Sequence, residues 1–231
     1  SHRRRWGPGV SSPYGGLCFD WDGGLGKPTD TSVLVDAVVD AFDAFGVTVD
    51  RTVARRTVVE DVVPLEIARD RDIDPEAFWH YRELRASLAQ QTHVRDGGKA
   101  VYDDVAELTA VDLPTAIVSN NQHATIEFLC AHHELPSFDT VIGRRPTLEG
   151  AAERKPKPDN IERAISHLGV QHALYVGDSQ KDVVAAQRAG IDAAFVRRPH
   201  VRDVTLSVEP THDLADLSAL VDRLSLTPNR S

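Results

Sequence analysis

Five short runs constrain this chain most: GLCF (16–19), PTAIV (114–118), FDTVI (138–142), ALYV (173–176) and DAAFV (192–196). Each is rich in apolar side chains and is followed by a loop of polar or glycine residues. A strand with one wet face alternates apolar and polar residues. Short apolar runs without that alternation, bounded by turn signals, predict parallel strands covered on both faces. Helical periods lie between the later runs. Ile161, Ala164, Ile165 and Leu168 follow i, i+3, i+4, i+7 spacing and stop at Gly169. Residues 183–189 stop at Gly190, and Leu217, Leu220, Val221 and Leu224 repeat the spacing. Strands alternating with helices predict an α/β fold, a doubly wound, Rossmann-like parallel sheet.

One interval breaks the alternation. More than ninety residues separate the first run from the second, and most carry helical patterns. Val35, Val38, Val39, Phe42 and Phe45 form one stripe; Phe78, Tyr81, Leu84 and Leu88 form another after the start signal Asp74–Pro75. Such an interval is too long for a crossover helix and too patterned for a loop. The expected division is an α/β core at 14–29 and 94–231, with a small helical cap at 30–93. Residues 1–13, basic but without an apolar stretch, are expected to be a disordered lead or cloning remnant. The chain has no methionine, so it is not expected to begin at a natural start codon.

No apolar run is long enough to cross a bilayer, and no segment reads as a secretory signal. A net charge of −9 argues against nucleic acid and anionic membranes as partners. Asp outnumbers Glu by 24 to 11 and Arg outnumbers Lys by 21 to 5. The short, dense carboxylates suggest work in high salt, although a GC-rich coding bias explains the arginines equally well. Cys18 and Cys130 stand far apart, and Cys18 lies inside an apolar run. It is read as a buried free thiol, in keeping with a reducing cytoplasm.

In an open parallel sheet, ligands sit beyond the carboxyl ends of the strands. Asp20 and Asp22 follow the first run. Ser119, Asn120 and Asn121 follow the second; Asp178 and Ser179 follow ALYV–Gly177, with Asp182 one turn on. RKPKPDN places Lys155 and Lys157 just before a helix. Asp20, Asp22 and Asp178 offer oxygen ligands suited to a hard cation such as Mg²⁺. A hydroxyl, backbone amides and a lysine can hold phosphoryl oxygens. Of two aspartates at one strand end, one can attack as nucleophile while the other handles protons. A cation and a lysine would keep such crowded carboxylates ionised. Phosphoryl transfer through an aspartyl-phosphate is a reaction this set could perform.

FDWDGGL (19–25), VSNN (118–121), KPKPD (155–159) and VGDSQKD (176–182) occur in an order and at spacings that resemble the haloacid dehalogenase superfamily. The resemblance, to the phosphoglycolate-phosphatase-like branch with a helical (C1-type) cap, spans roughly residues 14–224. It implies that Asp20 is the nucleophile, and that Asp22 protonates the leaving oxygen and later takes a proton from water. Ser119 would bond the phosphoryl group, with the backbone at Trp21 and Asn120. Lys155 would neutralise charge on the phosphoryl group and on Asp20. Mg²⁺ would be held by the Asp20 carboxylate, the Asp22 carbonyl and Asp178, with Asp182 orienting that shell. The implied enzyme is a Mg²⁺-dependent phosphatase of a small phosphorylated metabolite, with a phosphomutase as the alternative. Dehalogenases generally lack an acid where this chain has Asp22, because a departing halide needs no proton.

The pattern departs from the family at Gly24, where members usually carry threonine. The glycine is expected to loosen the turn after the catalytic pair and to lower activity, which leaves a weakly active phospho-ligand-binding protein as a reading from a different class. Lys157 competes with Lys155 for the lysine role; motif alignment favours Lys155. His132–His133 reads as an exposed helix end, and Arg144, Arg145, Arg197 and Arg198 as solvated or acid-paired. Arg55, Arg56, Trp79, His80 and Arg82 are read as packing or surface and left out of the site.

Overall fold

In the computed structural model, which describes residues 12–226, six strands form one sheet in the order β3-β2-β1-β4-β5-β6, every neighbouring pair parallel. These are β1 (Gly16–Phe19), β2 (Thr115–Gln122), β3 (Thr140–Arg144), β4 (Ala173–Gly177), β5 (Asp192–Val196) and β6 (His212–Leu214). Apart from Ser12 and Pro13, the 1–13 lead lies outside the described residues.

The central strands are rich in apolar residues because both faces are covered, yet their side chains still divide by parity. Leu17, Phe19, Ile117, Leu174, Val176, Ala194 and Val196 belong to one buried cluster. Cys18, Ala116, Val118, Tyr175, Ala193 and Phe195 belong to the other. The register follows suit, with Cys18 between Ala116 and Tyr175. Cys18 and Cys130 are both free thiols, and burial pushes Cys18 up to about 12.

From β1 the chain builds outward to β3 on one side and, through β4, to β6 on the other. The order therefore reverses at β1, and a crevice opens beyond the carboxyl ends of β1, β2 and β4. Beyond Val118 the β2–β3 register is irregular, so Ser119, Asn120 and Asn121 leave the regular ladder there.

Four α-helices and a 3-10 helix (Asp103–Ala110) stand between β1 and β2: α1 (Thr31–Ala44), α2 (Arg51–Val59), α3 (Leu65–Asp70) and α4 (Pro75–Arg95) are the α-helices. Val35, Val38, Ala41, Phe42, Val47, Ala54 and Phe78 form their own buried cluster. Asp30, Asp50 and Asp74 cap α1, α2 and α4 through their side chains, as short polar residues do at helix starts. The segments entering and leaving this interval lie side by side. Lys27 donates its N–H to Ala100 O at 2.9 Å, and Tyr102 donates to Leu25 O at 3.0 Å.

Of the α4 stripe expected from Phe78, Tyr81, Leu84 and Leu88, only the first two pack inward: Phe78 is buried and Tyr81 packs against the same cluster. Leu84 and Leu88 are exposed, whereas Trp79, Arg82, Glu83, Ala86, Ser87, Gln90 and Val94 are buried with Phe78. Arg82, Glu83, Ser87 and Gln90 make half of the inward residues polar, and that part of α4 looks across the crevice rather than into an apolar core. Arg144 pairs with Glu83 at 2.5 Å and Gln122 donates to Glu83 at 2.7 Å. No described helix is long and apolar enough to cross a membrane.

The sheet is covered by α5 (His123–His132), α7 (Asp159–Leu168), α8 (Gln180–Arg188) and α9 (Leu217–Leu226), while the short α6 (Leu148–Ala152) packs against α4. Gly169 closes α7 with φ 65°. His132 ends α5 and is exposed, as expected, whereas His133 is half-buried and stacks on Trp21, with ring centroids 6.2 Å apart.

Candidate active site

Asp20 leaves the end of β1 with its N–H bonded to Val176 O at 2.9 Å. Its Oδ1 accepts the Trp21 N–H at 2.8 Å and lies 3.1 Å from Lys155 Nζ. The Trp21 N–H, expected to face a phosphoryl group, is thus turned onto Asp20, while the Trp21 side chain is buried in the core. Gly23 follows at φ +84°, and a Cβ there would lie 1.9 Å from Asp178 Oδ2. Only glycine lets this turn and the β4 carboxylate come so close.

Lys155 is buried and Lys157 is exposed, so geometry brings only Lys155 to the site. Besides Asp20, its Nζ reaches Asp182 Oδ1 at 2.7 Å, Tyr175 Oη at 2.5 Å and Val118 O at 3.2 Å. Burial works against this ammonium, but Asp182 and Asp20 outweigh it and hold its pKa above the ordinary lysine value. The Asn120 side chain grips the Lys155 backbone from both sides, accepting its N–H at 2.8 Å and donating to its C=O at 3.1 Å. That side chain is thus fully engaged with the Lys155 backbone. Ser119 is buried, and its Oγ accepts the Asn121 N–H at 3.1 Å.

Asp20, Asp178 and Asp182 are buried with oxygens within 4.8 Å of one another. Burial drives Asp20 well above the usual carboxylate range; Lys155 opposes this and Asp182, Asp178 and Asp22 add to it. Burial and the Asp182 charge lift Asp178 to about 7. Three buried carboxylates thus share one lysine, an excess of negative charge in an all-oxygen donor set. That chemistry fits a hard divalent cation. Within the set Asp182 has least to spare. Its Oδ1 takes Lys155, and its Oδ2 accepts Ser179 N–H at 3.1 Å and Ser179 Oγ–H at 2.9 Å in the capping box that starts α8.

Asp22 stands apart from that cluster. Its Oδ2 accepts from Asn121 Nδ2 at 2.8 Å; its Oδ1 accepts from Thr29 Oγ1 at 3.2 Å and contacts Lys99 Nζ. The two aspartates of the DxD run thus have separate partners and different surroundings.

Sequence reasoning missed Lys99, Thr29, Gln90 and His200, and named Asn121 only as part of the VSNN run. His200 Nε2 lies 2.5 Å from Asp178 Oδ2. Arg198, expected to be solvated or paired, is buried. It pairs with Asp104 at 2.7 Å and also donates to Gly24 O at 3.1 and 2.7 Å. The turn at Gly24 is therefore fastened rather than loosened by its glycine. The one available signal was scarcity: this chain has five lysines, and two of them, Lys99 and Lys155, are buried at this site.

Between this site and the helical insert lies a cavity of about 260 Å³ lined by Asp22, Thr29, Asp61, Arg82, Gln90, Asn121 and neighbouring residues. Arg82, read as packing or surface, lines it; Trp79 packs beside Arg82, whereas Arg55 and Arg56 are exposed. Asp61 of the insert pairs with Arg154 at 2.5 Å, and Gln90 donates to Asn121 at 3.0 Å, closing the crevice's sides.

Residues 36–196 match the family model described as haloacid dehalogenase-like hydrolase. The match begins after Asp20 and Asp22. Among curated proteins the chain is similar to the pyrophosphatase PpaX of Oceanobacillus iheyensis, 31% identical over 98 residues, 42% of this chain and 44% of the relative. PpaX of Bacillus cereus is 31% identical over 100 residues, 42% of this chain and 45% of that one. The chain thus spans less than half the length of these relatives. Among solved structures it is similar to a mutant of CbbY from Rhodobacter sphaeroides in complex with xylulose-(1,5)bisphosphate, with TM-score 0.62, 21% identity, and 90% and 99% of the two chains covered. A phosphoglycolate phosphatase assignment from Lactobacillus plantarum superposes with TM-score 0.58, 18% identity, and 90% and 98% covered. At these identities the likeness shows a shared fold.

Proposed function

Because the chain belongs to the haloacid dehalogenase-like hydrolases, we propose that it is a phosphatase of a small phosphorylated metabolite, working through an aspartyl-phosphate on Asp20. The observation that carries this reading is the convergence of Asp20, Lys155, Asp178 and Asp182 at one sheet edge, with Asp22 beside them on its own donors. An Asp20 oxygen attacks phosphorus, a P–O bond forms, and the ester P–O bond breaks with its electron pair leaving on the alcohol oxygen. Asp22 gives that oxygen a proton, then takes one from the water that hydrolyses the aspartyl-phosphate. Lys155 offsets charge on the transferring group, and Ser119 with the Asn120 backbone orients it.

Asp20, Asp178 and the Asp22 carbonyl would hold Mg²⁺, with Asp182 fixing their surroundings by holding Lys155 and Ser179. The cation, when bound, supplies charge neutralisation on phosphoryl oxygens. The helical insert, 30–93, acts as a cap that excludes water and selects the leaving group across the polar crevice. Its residue 93 boundary falls inside α4, which continues to Arg95.

The test is a phosphate-ester panel with Mg²⁺, including pyrophosphate, phosphoglycolate, xylulose-1,5-bisphosphate and p-nitrophenyl phosphate. Turnover that disappears in Asp20→Asn is expected; no turnover across the panel defeats the reading. Release of inorganic phosphate, rather than an isomeric sugar phosphate, separates a phosphatase from a phosphomutase.

A further inference from the structure

We propose that Lys99 is a positioning residue for Asp22, pinning Oδ1 so that Oδ2 is the oxygen that handles the proton. The inference rests on the phosphatase reading above. Lys99 lies on the segment returning from α4, seventy-seven residues from Asp22 in sequence. Its side chain is completely buried, and the Nζ meets two groups: the Asp22 carboxylate and the Thr29 hydroxyl. Thr29 Oγ1 in turn lies 3.2 Å from the same Asp22 Oδ1 and 3.1 Å from Gln90 Oε1, its one proton shared between these two acceptors. Oδ1 is therefore held from two directions, whereas Oδ2 takes the single donor Asn121 at 2.8 Å.

The backbone points the same way. Lys99 has φ +53°, a left-handed conformation that residues with a Cβ seldom adopt. Two glycines precede it, and such outliers persist where the surroundings over-determine them, often at functional sites. Here the following residue is fixed too: Ala100 O accepts the Lys27 N–H, and Val101 bridges to Gly26. Lys99 thus starts from a fastened segment and ends on a carboxylate, as a residue that sets another's orientation must.

A proton is needed only when the departing oxygen is a poor leaving group. The ester P–O bond to an alkyl alcohol breaks with proton transfer from Asp22; p-nitrophenolate leaves as a stable anion without it. Well-placed proton transfer contributes about 10²- to 10⁴-fold. Lys99→Met is therefore expected to slow first-turnover alcohol release from the fastest alkyl phosphate of the panel by about 100-fold, and p-nitrophenol release by less than about 5-fold. Lys99→Arg, which keeps the charge, is expected to fall between the wild type and Lys99→Met on the alkyl ester.

Equal slowing of both esters, or no slowing, overturns the proposal while leaving the phosphatase reading intact. A wild type that turns over neither ester overturns both. If Lys99→Met does not fold by circular dichroism, Thr29→Val removes the second anchor on Oδ1 and is read by the same pair of esters, with equal slowing again refuting the role.

Discussion

Replacing Gly24 with threonine would restore the residue that members of this family usually carry, yet the structure predicts a loss. A Cβ built on Gly24 falls 2.4 Å from Asp20 O and 3.1 Å from Asp20 C. Gly24 does not need a left-handed backbone, so the obstacle is space alone. Reaching even a 3.0 Å contact requires 3.0 − 2.4 = 0.6 Å of relative movement. The Gly24 side of the turn is fastened, because Arg198 holds Gly24 O while gripping Asp104 at 2.7 and 3.0 Å. Movement therefore falls partly on Asp20. Overpacking of this kind costs about 1–3 kcal/mol. A 1 Å misplacement of a reacting group costs about 100-fold, so half that movement corresponds to about 10-fold. Urea unfolding and kcat on the best panel ester, measured for Gly24→Ala and Gly24→Thr, check both figures. A Gly24→Thr protein as stable as the wild type and faster would refute the reasoning.

Lys155→Met leaves Asp20 and Asp182 buried without their shared cation, and a loss of about 3–5 kcal/mol is expected in urea unfolding at pH 8; a loss below about 1 kcal/mol would contradict that pairing. Arg163, with Arg145, outweighs burial and pulls Glu153 from 4.5 down to about 2. The folded pKa is depressed, so this stabilisation is complete above pH 4.5 and fades as pH falls towards 2. Glu153→Gln should therefore lower the urea midpoint at pH 7 and match the wild type near pH 2. His200→Gln removes the histidine against Asp178 and is expected to weaken Mg²⁺ binding about 10-fold by titration calorimetry; unchanged binding would show that Asp178 needs no such support.

Asp20, Ser119 and Asp178 could be found in the sequence because a parallel sheet gathers the carboxyl ends of its strands, so that short apolar runs point at their own successors. Lys155 was legible only through its motif, since nothing in its spacing separates it from Lys157. Periodicity held on α4 for Phe78 and Tyr81 but not beyond them, where Leu84 and Leu88 are exposed and the buried side carries Arg82, Glu83 and Gln90. Hydrophobic spacing assumes that an inward face meets an apolar core, and this one meets a polar crevice. The pairing of Lys99 with Asp22 joins distant segments without any repeat to announce it. Strand β6 has three residues, too few to register as a period.

The hydrogen bonds between Lys27 and Ala100 and between Leu25 and Tyr102 have an architectural consequence. The chain departs for the helical insert and comes back at almost the same point, so the insert hangs from the sheet as a graft with one stem. Exchanging it for another helical unit would leave the sheet's own path intact and, on the proposed cap role, alter which esters are admitted. The place of the cut would matter more than the graft's interior. A join made after Lys99 discards the lysine while keeping every motif residue, and the resulting core would hold its nucleophile in place with Asp22 still bonded to Asn121 through Oδ2 but without the lysine on Oδ1.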